Sequence, residues 1–88
     1  MTEILRRADD VSAVTGDGET LLLNLSTGLW HGLDPIAARI WEMLAEPMDA
    51  DGLVARLVAE YEVTPETCRA EIIPLLDRMR ARGLLAGG

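Results

Sequence analysis

The side chains from which this sequence could build an active or metal site are few. They comprise one histidine, one cysteine and a scatter of Asp and Glu. His31 stands three residues before Asp34 and could begin a metal site. Zinc needs three or four protein ligands, however, and there is no second histidine and no cysteine pair at ligand spacing. Cys68 could act as a nucleophile only with a base in reach and an environment that favours the thiolate. The sole histidine lies on a predicted strand far away in sequence, so the thiol reads as structural. Gly16-Asp17-Gly18 has neither the spacing nor the lysine of a phosphate loop and reads as a turn. Asp9-Asp10 and the acids of the second predicted helix read as solvated faces. These residues point to no enzyme, no metal and no cofactor.

Composition narrows the alternatives. Eight arginines and no lysine stand against fifteen Asp and Glu, a formal net charge of −7. Such a chain repels a phosphate backbone unless its arginines gather on one face, so nucleic acid is not the expected partner. At 88 residues the chain forms one domain, residues 1–88, and buries only about 60–65% of its unfolded surface, too little for a deep enzyme pocket. With two Trp, one Tyr and no Phe, its core must be aliphatic. The lone cysteine, the lack of a signal-peptide apolar region at the start, and the lack of an apolar run of about 18–20 residues predict a cytoplasmic protein.

The elements that would position any site are well marked. Asp10 to Thr15 predicts a first strand, Gly16-Asp17-Gly18 a turn, and the leucine run from Thr20 a second strand. Ser26-Thr27-Gly28 then turns the chain into a third strand, Leu29 to Leu33. Asp34-Pro35 reads as N-cap and first residue of a helix to about Ala45, with Ile36, Ile40 and Leu44 on one face beside Ala37 and Trp41. Asp49 caps a second helix, near Ala50 to Tyr61, and Thr64-Pro65 a third, ending near Arg82 before Gly83. Pro74 predicts a kink in the third helix. Leu84-Leu85 should fold back on the core, with residues 1–9 and 86–88 frayed. The fold class is α+β: a three-stranded antiparallel sheet plus a three-helix bundle. Because the third strand runs straight into a helix, it should end the sheet and leave an edge able to accept another chain.

This order of elements resembles the PqqD family, the leader-peptide recognition elements of ribosomally made, modified peptides. The resemblance rests on Thr27-Gly28, Leu33-Asp34, Ile40-Trp41-Glu42-Met43-Leu44, Tyr61-Glu62-Val63 and Arg82-Gly83-Leu84-Leu85, and it spans about Val11 to Leu85. It departs from the commonest pattern at Asp34, at Trp30-His31 and at Pro74. The resemblance implies a winged helix-turn-helix-like fold. It also implies a non-catalytic protein that binds a precursor leader peptide by strand addition and presents it to a maturation enzyme. That enzyme would be a leader peptidase in a lasso-peptide system or a radical enzyme in a quinone-cofactor pathway. The family's site falls here on Leu29, Trp30, His31, Gly32 and Leu33 and on Arg69, Ile72, Ile73, Leu76 and Arg80. The alternative readings are a DNA-binding winged helix and a structural dimerisation module that uses the same edge.

Overall fold

The computed structural model describes residues 3–87. Chain order gives β1 (Ile4–Arg7), β2 (Val11–Gly16), β3 (Glu19–Asn24), β4 (Leu29–Leu33), α1 (Pro35–Met43), β5 (Met48–Asp49), α2 (Ala50–Glu60), α3 (Pro65–Ala81) and β6 (Leu85–Gly87). The fold is α+β, with three helices and two three-stranded antiparallel sheets. Among the described residues no helix is long and apolar enough to cross a membrane.

The larger sheet has the order β2-β3-β4. A two-residue loop joins β2 to β3, with Asp17 at φ 53° and Gly18 at φ 79° between the paired Gly16 and Glu19. Positive φ at both positions is what a type I′ turn demands, and it suits an Asp-Gly sequence. Residues 25–28 link β3 to β4, closed by Gly28 at φ 73° donating its N–H to the Asn24 carbonyl at 2.8 Å. The pleat sends Leu22 and Asn24 into the core and leaves Leu21 and Leu25 exposed.

The three helices start where their caps predict. The side chains of Asp34, Asp49 and Thr64 accept from the N–H groups of Ala37, Gly52 and Thr67, and proline opens α1 and α3. Their apolar stripes meet in one core, where Leu22, Ile40, Leu44, Leu53, Leu57, Ile72, Met79 and Leu84 are the largest fully buried side chains. Helix α3 runs unbroken through Pro74, which lies on the exposed side of the helix.

The smaller sheet corrects the expectation of a single sheet with frayed ends. Strand β1 lies between β5 and β6, pairing Ile4 with Asp49, Leu5 with Met48 and Gly87, and Arg7 with Leu85. Residues 4–7 and 85–87 are therefore ordered by each other, while residues 1, 2 and 88 of the expected frayed ends lie outside the described residues. Two contacts explain why so polar a segment docks. Leu5 is buried in the core, and Arg7 reaches the end of α1, where its Nε and Nη2 donate to the Trp41 carbonyl at 2.9 and 2.6 Å. The same guanidinium lies 4.7 Å from the centre of the Trp41 ring. Arg7 thus supplies the donor and the positive charge that the last turn of α1, which has no basic residue, lacks.

Candidate functional site

Strand β4 pairs with β3 on one side only, through Thr20 with Leu33, Leu21 with Gly32, Leu22 with His31, Leu23 with Trp30 and Asn24 with Leu29. Its other side has no strand beside it among the described residues. That free edge faces a cleft whose far wall is the C-terminal end of α3, and the cleft is lined by Asn24, Thr27, Leu29, His31, Ala81, Arg82 and Gly83. At the other end of β4 an apolar pocket opens between α1, α2 and the start of α3, bounded by Ile36, Leu57, Tyr61, Val63, Cys68, Glu71 and Ile72. The two openings lie at opposite ends of α3, and β4 with the start of α1 runs from one to the other. Glu71 to Arg82 spans about 16 Å along the helix axis, the length of about five extended residues.

The pleat and the helix period decide which side chains reach this groove. On β4, Leu29, His31 and Leu33 share the face of their partners Asn24, Leu22 and Thr20, towards the core. Trp30 and Gly32 point to the opposite face, beside Leu23 and Leu21. Trp30 is 56% exposed and covers the outer side of the sheet together with exposed Val14 and Leu21. On α3, Glu71 and Arg82 lie at the two openings, and the i, i+4, i+7, i+11 spacing puts Leu75 and Arg78 between them on the same flank.

The α3 residues expected at the site divide differently. Ile72 and Leu76 are buried in the core, with Ile72 forming part of the floor of the apolar pocket. Arg69, Ile73 and Arg80 lie on the other flank, about 200° round the helix from Glu71, Leu75 and Arg82. Arg69 pairs with Asp51 of α2 at 2.5 Å, and Arg80 pairs with Glu3. Ile73, Leu76 and Arg80 border a separate hollow against β1 and α2 with Glu3, Leu5, Ala50 and Asp77. The structure thus places Leu29 and His31 at the cleft and Ile72 at the apolar pocket, with Leu33 packed against the core. It sets Trp30 and Gly32 on the outer face and Arg69, Ile73 and Arg80 across the helix.

Residues outside the expected set fix the shape of the groove. Asn24 is the buried polar side chain of the core, and its Nδ2 donates to the Arg82 carbonyl at 3.0 Å. Its Oδ1 accepts from the N–H of Ser26 at 2.9 Å and of Thr27 at 3.3 Å. One side chain therefore ties the turn before β4 to the end of α3 and sets the width of the cleft. Gly83, at φ 73°, lets the chain leave α3 directly against it, since a Cβ there would meet Asn24 Nδ2 at 2.6 Å. The available signal was an asparagine replacing leucine at an inward position of a leucine-rich strand.

The His31 Nε2 is buried with no hydrogen-bond partner among the described residues. Cys68 is free and buried, and desolvation, with Glu71 nearby, pushes its thiol above the usual range, away from the reactive thiolate. No group of three or more His, Cys, Asp or Glu among the described residues is placed to hold a metal ion.

The fold has counterparts among solved structures. The chain is similar to TbiB1 in a complex with the TbiA(β) leader peptide, with 32% identity, 91% of this chain and 93% of that chain covered, and a TM-score of 0.83. It shares its fold with lasso peptide synthetase B1 complexed with the leader peptide, at 23% identity, 93% and 96% coverage and a TM-score of 0.81. Among curated proteins none matches. The family described as coenzyme PQQ synthesis protein D (PqqD) matches residues 19–85, which hold the β3-β4 hairpin, all three helices and every residue of the groove, and the chain belongs to that family.

Proposed function

We propose that this protein is a non-catalytic recognition element that captures the leader of a ribosomally made precursor peptide on the free edge of β4. It then presents the rest of the precursor to a separate maturation enzyme. The observation that carries this reading is the unpaired edge of β4, beside a cleft that carries Asn24, Thr27, His31 and Arg82, with an apolar pocket beyond the start of α1. The likeness to TbiB1, solved with a leader peptide, supports it. Strand addition obtains affinity from main-chain hydrogen bonds and selectivity from side-chain pockets. Four or five such bonds at about 0.5–1.5 kcal/mol each do not offset the cost of ordering a flexible peptide, so an apolar anchor is required. The pocket of Ile36, Leu57, Tyr61 and Val63 can hold one.

We read the β2-β3-β4 sheet with α2 and α3 as a winged helix-turn-helix variant put to peptide binding, and we place the protein in the cytoplasm, where ribosomal precursors arise. The maturation enzyme is a leader peptidase of the lasso-peptide type, in keeping with the two structural relatives. Duplex DNA is a poor ligand for this surface: the net charge is −7, and most of the arginines are tied to carboxylates.

The test is a two-dimensional NMR titration of the labelled protein with the synthetic leader encoded beside its gene. Saturable shifts on Leu29 to Leu33, Ile36, Leu75 and Arg82, with a Kd tighter than about 10 μM (roughly −7 kcal/mol), are expected. An intact spectrum with no shift along β4 refutes the reading.

A further inference from the structure

The distribution of the arginines identifies a chemical preference of the groove, given the peptide-capture reading above. Six of the eight are engaged. Arg6, Arg39, Arg56, Arg69 and Arg80 pair with Asp9, Glu42 and Glu60, Glu46, Asp51 and Glu3, and Arg7 is spent on the Trp41 carbonyl. The two with no carboxylate in reach among the described residues are Arg78 and Arg82. They stand one helical turn apart on the flank of α3 that faces β4, and Arg82 lines the cleft with Leu29 and His31. In a chain with fifteen acids, two adjacent unneutralised guanidinium groups are unusual, and they sit where a strand added to β4 would pass.

We propose that Arg78 and Arg82 form a carboxylate-reading subsite, so that the captured peptide carries an Asp or Glu opposite the Leu29 end of β4, with its apolar anchor at the Ile36–Tyr61 end. Helix polarity alone would favour basic residues in the last turn of α3. It does not account for the pattern, because Arg80 occupies the same turn and is neutralised by Glu3. The partial negative charge of the helix end, about half a unit, is outweighed by two full cations. The other charged side chain on this flank, Glu71, lies at the far opening, two or more turns away, where it repels an acidic residue. The groove is therefore polarised along its length, with the two cations at the end of α3 and Glu71 beside the apolar pocket, while Asp10, the acid at the β3–β4 turn, is held by the Ser26 hydroxyl. That gradient fixes the direction in which a peptide with one acid and one anchor can lie.

The test is selection from a display library of random peptides long enough to span the groove, run in parallel on the wild-type protein, on the Arg78→Gln/Arg82→Gln variant and on Arg80→Gln. Wild type and Arg80→Gln should enrich Asp or Glu at one fixed spacing from an apolar residue, and Arg78→Gln/Arg82→Gln should lose the acidic position while keeping the apolar one. Replacing that acid by its amide in a selected peptide should weaken binding to wild type about 3- to 10-fold at low salt, the scale of a charge-assisted surface contact, and leave the double variant unmoved. Enriched peptides with an anchor but no acidic position, or an acidic position that survives in the double variant, overturn the subsite and leave peptide capture standing. A failure to enrich any peptide overturns both.

Discussion

Asn24 and Gly83 show how single residues set a binding surface that they do not themselves form. Asn24 uses both ends of its amide, Nδ2 on the Arg82 carbonyl and Oδ1 on the N–H groups of Ser26 and Thr27. Replacing it with leucine keeps the volume but leaves one carbonyl and two N–H groups without that partner. Asn24→Leu should cost about 1–3 kcal/mol in urea denaturation and should also weaken leader binding, because the turn and the end of α3 lose their tie. Gly83→Ala attacks the same contact from the other side, placing a Cβ 2.6 Å from Asn24 Nδ2 on a residue held at φ 73°. It should lose about 1–3 kcal/mol by the same measurement. Unchanged stability in both variants would mean that the amide is not the tie described. Sequence pattern reached this site only in part. It marked Gly83 as a helix stop, and its alternation placed Asn24 on a strand, but a buried amide is defined by partners 58 positions away in the chain.

At the scale of elements, the legible parts were those whose signals are local. Capping residues gave all three helix starts within one residue, and Asp17-Gly18 and Thr27-Gly28 gave both turns of the larger sheet. The smaller sheet was not legible, since β5 and β6 have two and three residues and β1 has four, too short for a period-two pattern to show. The pairing of the α3 arginines was not legible for a related reason. Arginines at positions 69 and 80 and at 78 and 82 look alike until tertiary structure brings Asp51 and Glu3 to the first pair. The pleat of β4 makes a prediction at this scale. Trp30 lies on the outer face, whereas Tyr61 borders the apolar pocket. Trp30→Ala should leave the Kd for a leader peptide within about twofold, while Tyr61→Ala should weaken it by about 1–2 kcal/mol through lost apolar contact. Isothermal titration of both variants distinguishes the two faces, and the reverse ranking would move the binding surface to the outer side of the sheet.

For the whole molecule, the question is what holds so small a core together. Part of the answer is electrostatic. Arg39 of α1 clamps Glu60 at the end of α2 with two hydrogen bonds, of 2.8 and 2.6 Å, which hold the Glu60 carboxyl below its usual value near 4.5 and raise Arg39 further. A carboxylate whose folded value is depressed stabilises the fold fully above its unfolded value, and the gain disappears as pH falls through the folded one. Thermal stability should therefore fall as the pH drops below about 4.5, and Arg39→Gln should flatten that part of the curve. The other part is the junction of the chain's two ends, where β1 sits between β5 and β6 and sends Leu5 into the core and Arg7 onto the last turn of α1. Burial of one leucine is worth about 1.5–3 kcal/mol, and the charged hydrogen bonds of Arg7 add about 1.5–3. A domain of this size has a total stability towards the low end of about 5–15 kcal/mol. A variant beginning at Ala8 should therefore lose a third or more of its stability and unfold at least about 10 °C lower in calorimetry, although every residue of the groove is still present. Leader titration against that variant below its melting transition should give a wild-type Kd. A groove that failed while the rest of the fold held would show that the smaller sheet, beyond bracing the core, also shapes the binding surface.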